Sequence, residues 1–144
     1  MKKNILFIYL VLQSITLQGQ LQQIIHQSFA VDEMNQINLD IFGKYSVEIW
    51  PGSEVLTETT VKLTNASHSI LTYLIESKRY AIQLDTLEDR SVALVSIDKK
   101  RLNVKTSKGD SMEEIAIRIF VPDFFEKKNE QLWTRINPIQ RAKD

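Results

Sequence analysis

The ten residues from Glu54 to Leu63, Glu-Val-Leu-Thr-Glu-Thr-Thr-Val-Lys-Leu, decide the fold class of this 144-residue chain. Every second side chain from Val55 onward is valine, threonine or leucine, while Glu54, Glu58 and Lys62 mark the opposite face. A period of two places one face of a β-strand against a core and the other face in water. We therefore predict a half-buried strand over this segment.

The same alternation recurs along the rest of the chain, and turn signals separate the alternating segments. Those segments are 37–41, 47–50, 80–84, 92–97, 102–104 and 115–121. Gly43-Lys44 and Pro51-Gly52 leave gaps of hairpin length, and charged connections follow at 98–101 and 107–110. Turns spaced about every 8 to 12 residues are typical of all-β domains. We predict a mainly β fold, either a short β-solenoid or a twisted β-sandwich, because alternation is the same in both.

One segment has helical spacing. Ile70 and Leu74 lie four residues apart, as do Leu71 and Ile75, which gives one apolar stripe over residues 67–78. Asn65 or Ser67 can cap its start. We predict a single amphipathic helix that covers one end or edge of the sheet. Residues 123–136 fit either a second helix or a last strand.

The N-terminus has the order of a secretory signal peptide. Lys2 and Lys3 precede an apolar run from Ile5 to Leu12, and a polar stretch then ends at Gly19-Gln20. This run is too short to span a bilayer, which needs roughly 20 apolar residues. We predict a leader over residues 1–20 cleaved near Gly19-Gln20, one β-rich domain over 21–137, a flexible tail over 138–144, and a periplasmic or secreted location.

Composition excludes several partner classes. The chain has 18 basic and 18 acidic residues, and removing the two leader lysines leaves 16 against 18, a net charge of −2. Such a domain lacks the basic stripe that binds nucleic acid. The chain has no cysteine, so core packing must stabilise it without disulfides. Beyond the leader, no apolar segment reaches membrane-spanning length.

The sequence contains no recognisable catalytic, cofactor or metal motif. Its histidines, His26 and His68, stand in no zinc-ligand pattern, and there is no Gly-x-Ser-x-Gly elbow or phosphate-binding glycine loop. The acidic groups 85–89 and 110–114 match no calcium loop and indicate solvated turns. We expect a protein without catalytic, cofactor-binding or metal-ligating residues, and hence not an enzyme.

Four residues are candidate contact or modification sites. Tyr45 and Trp50 are aromatic residues near strand ends, where such side chains contact partners or cover the end of a core. Asp85-Thr86-Leu87 and Asp110-Ser111-Met112 resemble the Asp-Ser/Thr-apolar acceptor for O-glycosylation of exported proteins in some bacteria. We predict Tyr45 and Trp50 as partner contacts and Thr86 and Ser111 as modification sites.

The stretch from Ser28 to Pro122 resembles bacterial adhesin families of secreted domains, including the auto-transporter adhesin head domains. The matching segments are Phe29-Ala-Val, Ile37-Asn-Leu-Asp-Ile, Val47-Glu-Ile-Trp-Pro-Gly-Ser-Glu-Val and Ile115-Ala-Ile-Arg-Ile-Phe-Val-Pro-Asp. The resemblance implies stacked strands of a β-solenoid or twisted sandwich and no enzymatic activity.

Two functions follow as hypotheses. The first is an exported, adhesin-like envelope module that binds a cell-envelope protein or itself through strand edges or its surface. The alternative is a small periplasmic ligand-binding or carrier domain with an apolar cavity between the helix at 67–78 and the sheet. Neither hypothesis involves nucleic acid or a transmembrane span.

Overall fold

A computed structural model describes residues 19–140, which form two β-sheets, one helix and a small hairpin. In chain order, the strands are β1 (Leu21–Ala30), β2 (Gln36–Asp40), β3 (Tyr45–Trp50), β4 (Glu54–Leu63), β5 (Ile82–Thr86), β6 (Ser91–Ser96), β7 (Val104–Thr106), β8 (Gly109–Ser111), β9 (Glu113–Pro122), β10 (Phe125–Lys127) and β11 (Leu132–Arg135). The helix α1 (His68–Glu76) follows β4. The prediction of a mainly β fold with one helix is confirmed. Residues 1–18, most of the predicted leader, lie outside the described residues.

The two sheets pack face to face as a sandwich. The first sheet has the strand order β1-β4-β9-β3, and the second has the order β10-β11-β2-β6-β5. The pairs β3–β9 and β2–β6 are parallel, and the other pairs within these sheets are antiparallel. Buried side chains from both sheets form one core: Val31, Ile37, Leu39, Val55, Ile82, Val92, Leu94, Ile117, Ile119, Val121, Phe125 and Trp133. Of the two predicted architectures, the sandwich is the one observed.

The two gaps of hairpin length do separate strands, but neither joins two strands that pair with each other. Gly43-Lys44 leads from β2 in the second sheet to β3 in the first, with Gly43 at a φ of 98° that bends the chain between sheets. Pro51-Gly52 joins β3 to β4, but β9 lies between those two strands. A short turn specifies a change of direction, whereas the pairing partner of each strand here is distant in the sequence.

Helix α1 covers the inner face of the first sheet at the C-terminal end of β4, as predicted. The Ser67 side chain caps it by accepting a hydrogen bond of 3.3 Å from the backbone N–H of Ile70. Leu71 and Leu74 are buried in a second apolar cluster, whose other buried members are Val61, Leu63, Tyr80 and Val104. Within residues 19–140, no helix has the length and apolar character needed to cross a membrane.

The C-terminal segment forms strands rather than a second helix. β10 and β11 pair with each other and extend the second sheet beside β2, which buries Phe125 and Trp133 in the core. The segment predicted to be a flexible tail begins with an anchor: the Asn35 side chain donates to the Ile139 carbonyl at 3.1 Å and accepts from the Ile139 N–H at 2.8 Å. Residues 141–144 lie outside the described part of the chain.

Candidate functional site

The free edge of β1 is the most distinctive surface of the molecule. β1 pairs with β4 over ten residues in unbroken register, from Leu21 opposite Leu63 to Ala30 opposite Glu54. Its other edge pairs with no strand in the described part of the chain. The strand Leu-Gln-Gln-Ile-Ile-His-Gln-Ser-Phe-Ala contains no lysine, arginine, aspartate, glutamate or proline. It is therefore a long, regular and uncharged edge.

The other outer strands of the two sheets are shorter, and each carries charge. β3 has six residues and includes Glu48, β5 has five and includes Asp85, and β10 has three, two of them Glu126 and Lys127. Proteins commonly block sheet edges with short strands, charges, prolines or bulges, since unpaired N–H and C=O groups otherwise accept another strand. β1 has none of these devices, so its edge is the one best suited to strand addition.

The side chains of β1 leave apolar surface at this edge. Ile25 and Phe29 point toward the core but are only half-buried, whereas the residues opposite them on β4, Thr59 and Val55, are fully buried. Ile24, on the outer face, is 40% exposed. A further strand beside β1 would cover these three apolar side chains and thereby add hydrophobic stabilisation to backbone pairing.

Gln27 fixes the middle of β1 to the second sheet. Its side-chain N–H donates to the Ile82 carbonyl at 2.8 Å, and its side-chain oxygen accepts from the Ile82 N–H at 2.9 Å. Ile82 begins β5, the outer strand of the second sheet next to this edge. These two hydrogen bonds hold β1 in place, so the edge is preorganised for a partner strand.

A second polar feature, the charged corner, consists of Arg79, Tyr80, Asp98, Arg101 and Glu113. Arg79 donates to both carboxylate oxygens of Glu113, from Nε at 2.9 Å and from Nη2 at 2.8 Å. Nη2 also donates to the Leu102 carbonyl at 2.7 Å, and Nη1 lies 3.6 Å from Asp98. The side chain of Arg79 is only 9% exposed, so this ion pair is largely shielded from water.

Burial and the Arg79–Glu113 ion pair shift the pKa values of the residues in the charged corner. Burial acts to raise the pKa of Glu113, but the hydrogen bonds and charge of Arg79 outweigh it and hold that pKa below its ordinary value. The hydrogen bond to Glu113 raises the pKa of Arg79, and burial raises the pKa of Tyr80. Burial lowers the pKa of Arg101, whose guanidinium lies over the rings of Phe42 and Tyr80 at 5.3 and 5.8 Å. Arg79 contacts Glu113 and Asp98, and Arg101 lies over the ring of Tyr80, so these side chains contact one another. Such contacts indicate a structural role.

The structure does not bring Tyr45 and Trp50 together. They begin and end β3, five positions apart, so they point to opposite faces and their backbones are separated by about 16 Å. The Tyr45 hydroxyl donates to the Glu130 carbonyl at 3.1 Å, and the Trp50 indole N–H donates to the Glu54 carbonyl at 2.9 Å. The indole also lies against Gly52, where a Cβ would come within 2.1 Å of the ring. Both aromatics thus secure adjoining loops.

The two predicted modification sites differ in exposure. Thr86 ends β5 and is exposed. Ser111 is 8% exposed, and its hydroxyl donates to the Thr64 carbonyl at 2.6 Å. Of these two residues, Thr86 is the one that is open to a modifying enzyme.

Other candidate sites contribute little to recognition. Of the described grooves, one of about 770 Å³ is lined by residues 100–103 and 105, and another of about 610 Å³ lies beside β11 and is mainly polar. Arg135, which lines it, is already engaged with the backbone carbonyl of Met34 at 2.8 Å and the ring of Phe124 at 4.4 Å. The described residues contain no group of three His, Cys, Asp or Glu side chains that could hold a metal ion.

The alternation predicted from the sequence did not include β1, of which only the segment Phe29-Ala-Val was singled out, through the family resemblance. Adjacent apolar residues at Ile24-Ile25 interrupt the alternation, and glutamines occupy inward positions. A different signal was available: no charged residue occurs between Leu21 and Val31 in a chain that is one-quarter charged.

No family model, curated protein or solved structure matches this chain. The candidate site therefore depends on the geometry and composition of β1.

Proposed function

We propose that this protein is an exported, non-enzymatic binding module that recognises a partner by accepting a β-strand at the free edge of β1. The observation that carries the proposal is the ten-residue, uncharged, unbroken edge of that strand. The sequence resemblance to secreted bacterial adhesin domains supports the same class of activity. The proposed partner is a cell-envelope protein or a second copy of the chain.

Strand addition uses the chemistry that β1 leaves available. Backbone N–H and C=O groups on the free edge provide affinity for any extended segment, and side-chain matching on the two faces provides selectivity. The half-buried side chains of Ile25 and Phe29 give an incoming strand apolar surface to cover. An uncharged edge adds no repulsion toward a partner of either sign.

The carrier alternative receives less support. It requires apolar space between α1 and the sheet, yet Leu71 and Leu74 pack against Val61 and Leu63 in a buried cluster. The described residues at that interface thus form a core. This packing favours edge recognition over an apolar cavity as the working hypothesis.

Site-specific photo-crosslinking in expressing cells tests the proposal. A photoreactive amino acid replaces Ser28, an exposed residue near the end of β1, in the full coding sequence. The matched control carries it at Ser46, an exposed serine on β3 at the opposite edge of the same sheet. We expect a discrete crosslinked product from position 28 and none from position 46. Equal labelling at both positions, or none at position 28, would contradict recognition at β1.

The same cells test the predicted location. We expect the chain in the periplasm or medium, with an N-terminus near Gln20 by Edman degradation. A cytoplasmic chain with its N-terminal segment intact would contradict export and leave the crosslinking result to be judged separately.

A further inference from the structure

We infer that the strand added to β1 is β1 of a second copy, placed antiparallel about a two-fold axis at Ile25. This inference rests on the proposed function and names its partner. The two first sheets would then join edge to edge into one continuous eight-stranded sheet. Because a two-fold interface uses the same surface on both copies, the assembly closes as a dimer.

The geometry of the pleat restricts how two copies of β1 can pair. Side chains alternate between faces, and directly opposed residues in antiparallel strands share a face. The core-facing residues of both copies must therefore oppose one another, so that both inner faces stay on the same side. With the axis at Ile25, the residue numbers of the two residues in each opposed pair add up to 50.

The side chains of β1 match in this register. On the inner face, Ile25 meets its own copy, Leu21 meets Phe29, and Gln23 meets Gln27. On the outer face, Ile24 meets His26, and Gln22 meets Ser28. Moving the axis by one position to His26 would oppose Ile25 to Gln27 and Gln23 to Phe29, placing apolar side chains against amides. Cross-strand pairing of like with like therefore favours the axis at Ile25.

Charge selects β1 over β3, the other edge of the same sheet. Two copies of β1 meet without a single charged side chain, since the strand has none. Two copies of β3 would bring both Glu48 carboxylates close together, and Glu48 already pairs with Arg118 at 3.0 Å. Like charges on neighbouring strands oppose pairing, so self-association through β3 is disfavoured.

The size of the contact sets the expected affinity. Pairing extends over residues 21–29, and stable interfaces bury about 800 Å² per partner. A single pair of edge strands covers less than that, so we expect a concentration-dependent dimer with a dissociation constant of roughly micromolar order.

Cysteine pairing provides a direct test, because the chain has no cysteine of its own. Variants Ile24→Cys and His26→Cys both alter exposed outer-face positions, and the proposed register places each opposite the other across the axis. On mild oxidation, we expect the mixture of the two variants to form a disulfide-linked heterodimer faster than either variant alone forms a homodimer. His26→Cys that links to itself in preference to Ile24→Cys would overturn the register, and no linkage in the mixture would overturn the pairing.

A matched pair of charge variants tests the same contact without crosslinking. Ile24→Lys places a charge on the edge, whereas Thr60→Lys places it on the same face one strand inward, since Ile24 and Thr60 are opposed between β1 and β4. By sedimentation equilibrium, we expect at least tenfold weaker dimerisation for Ile24→Lys and unchanged dimerisation for Thr60→Lys. Unfolding midpoints identify any loss due to misfolding. Wild-type chain that remains monomeric at 1 mM would overturn the inference.

Recognition at β1 and self-pairing of β1 give different results in these experiments. If the crosslink from position 28 contains a different protein and the purified chain is monomeric, self-pairing is wrong and recognition at β1 stands. If position 28 captures nothing and the cysteine mixture remains unlinked, recognition at β1 is wrong as well.

Discussion

The charged corner and the free edge of β1 lie in one small domain and use polar groups in opposite ways. In the corner, Arg79 uses its guanidinium on Glu113, Asp98 and a backbone carbonyl, so charge is satisfied internally. Along β1, no side chain is charged, and one row of backbone groups faces outward without a partner strand in the described residues. The Arg79–Glu113 ion pair of the corner is made within the chain, whereas the edge remains open to a partner.

This contrast separates stability from recognition. A buried ion pair made within the chain, like that of Arg79 and Glu113, contributes to a single native state and offers neither charge to a ligand. An open strand edge costs the domain little because water binds its backbone groups, yet it can exchange that water for another strand. Substitutions in the corner should therefore change unfolding, and substitutions on the edge should change association.

The largest expected effect comes from Arg79→Leu in the corner. Loss of Arg79 leaves the largely buried Glu113 carboxylate without its bidentate partner, and breaking such pairs costs about 3 to 5 kcal/mol. We expect the free energy of unfolding, measured by urea titration, to fall by about 3 kcal/mol. The control is Arg118→Leu, which removes an arginine paired with Glu48 and Glu58 on the exposed outer face, where water screens ion pairs, and its loss of stability should be much smaller. Equal losses of stability for the two variants would show that the ion pair of the corner stabilises the fold no more than an exposed ion pair does.

A smaller effect is expected where the edge is anchored. Gln27→Leu removes both hydrogen bonds to Ile82 and leaves a backbone N–H and C=O without those partners. We expect a loss of about 2 kcal/mol in urea titration, because each unsatisfied group costs about 1 to 3 kcal/mol and water partly compensates. Gln23→Leu, an exposed position on the same face, is the control and should change stability by less than about 0.5 kcal/mol. A Gln27→Leu variant as stable as the control would remove the anchoring role.

Association should change at one edge of the first sheet and not at the other. Ser28→Lys adds a charge to β1, and Ser46→Lys adds the same charge to β3; both serines are exposed. We expect Ser28→Lys to weaken dimerisation about tenfold, or about 1.4 kcal/mol, and Ser46→Lys to leave it unchanged. Both variants should unfold within about 0.5 kcal/mol of wild type. Weakening by Ser46→Lys alone would move recognition from β1 to β3.

The sequence predicted those parts of the fold that depend on local periodicity. β4 was predicted with its observed bounds because its alternation is nearly complete, and α1 was predicted because its stripe and its Ser67 cap lie within one segment. Strand pairing was not predictable in the same way. β2 lies parallel to β6, about 55 positions further along the chain, and no local pattern specifies such a partner.

The candidate site was less predictable than the fold. Tyr45 and Trp50 were selected for their chemistry, but β3 separates them and its neighbouring loops engage both polar groups. The free edge of β1 was not predicted, because the position of a strand at the edge of a sheet depends on the strand order and not on the local sequence. The strand order, in which β4 lies between β1 and β9, shows that β1 is an outer strand. The absence of charged residues from β1 indicates an edge open to pairing only once that position is known.

The last expected effect is an acid sensitivity of the corner. Arg79 holds the pKa of Glu113 below its ordinary value despite burial, and the backbone N–H groups of Lys100 and Arg101 do the same for Asp98. A carboxylate whose pKa is lower in the folded state stabilises the fold fully above its unfolded pKa, about 4.3 for glutamate. That stabilisation is lost as the pH falls through the folded pKa. We therefore expect the free energy of unfolding to decline below about pH 4.3.

The double variant Arg79→Leu with Glu113→Gln isolates this contribution. It removes both charges of the pair, so no unpartnered ion remains at Glu113 and no proton binds there. Urea titrations between pH 7 and pH 3 should give a steeper decline for wild type than for the double variant. Parallel curves would place the acid sensitivity outside the Arg79–Glu113 pair. Converging stabilities at low pH would show that the stabilisation lost on acidification belongs to this pair.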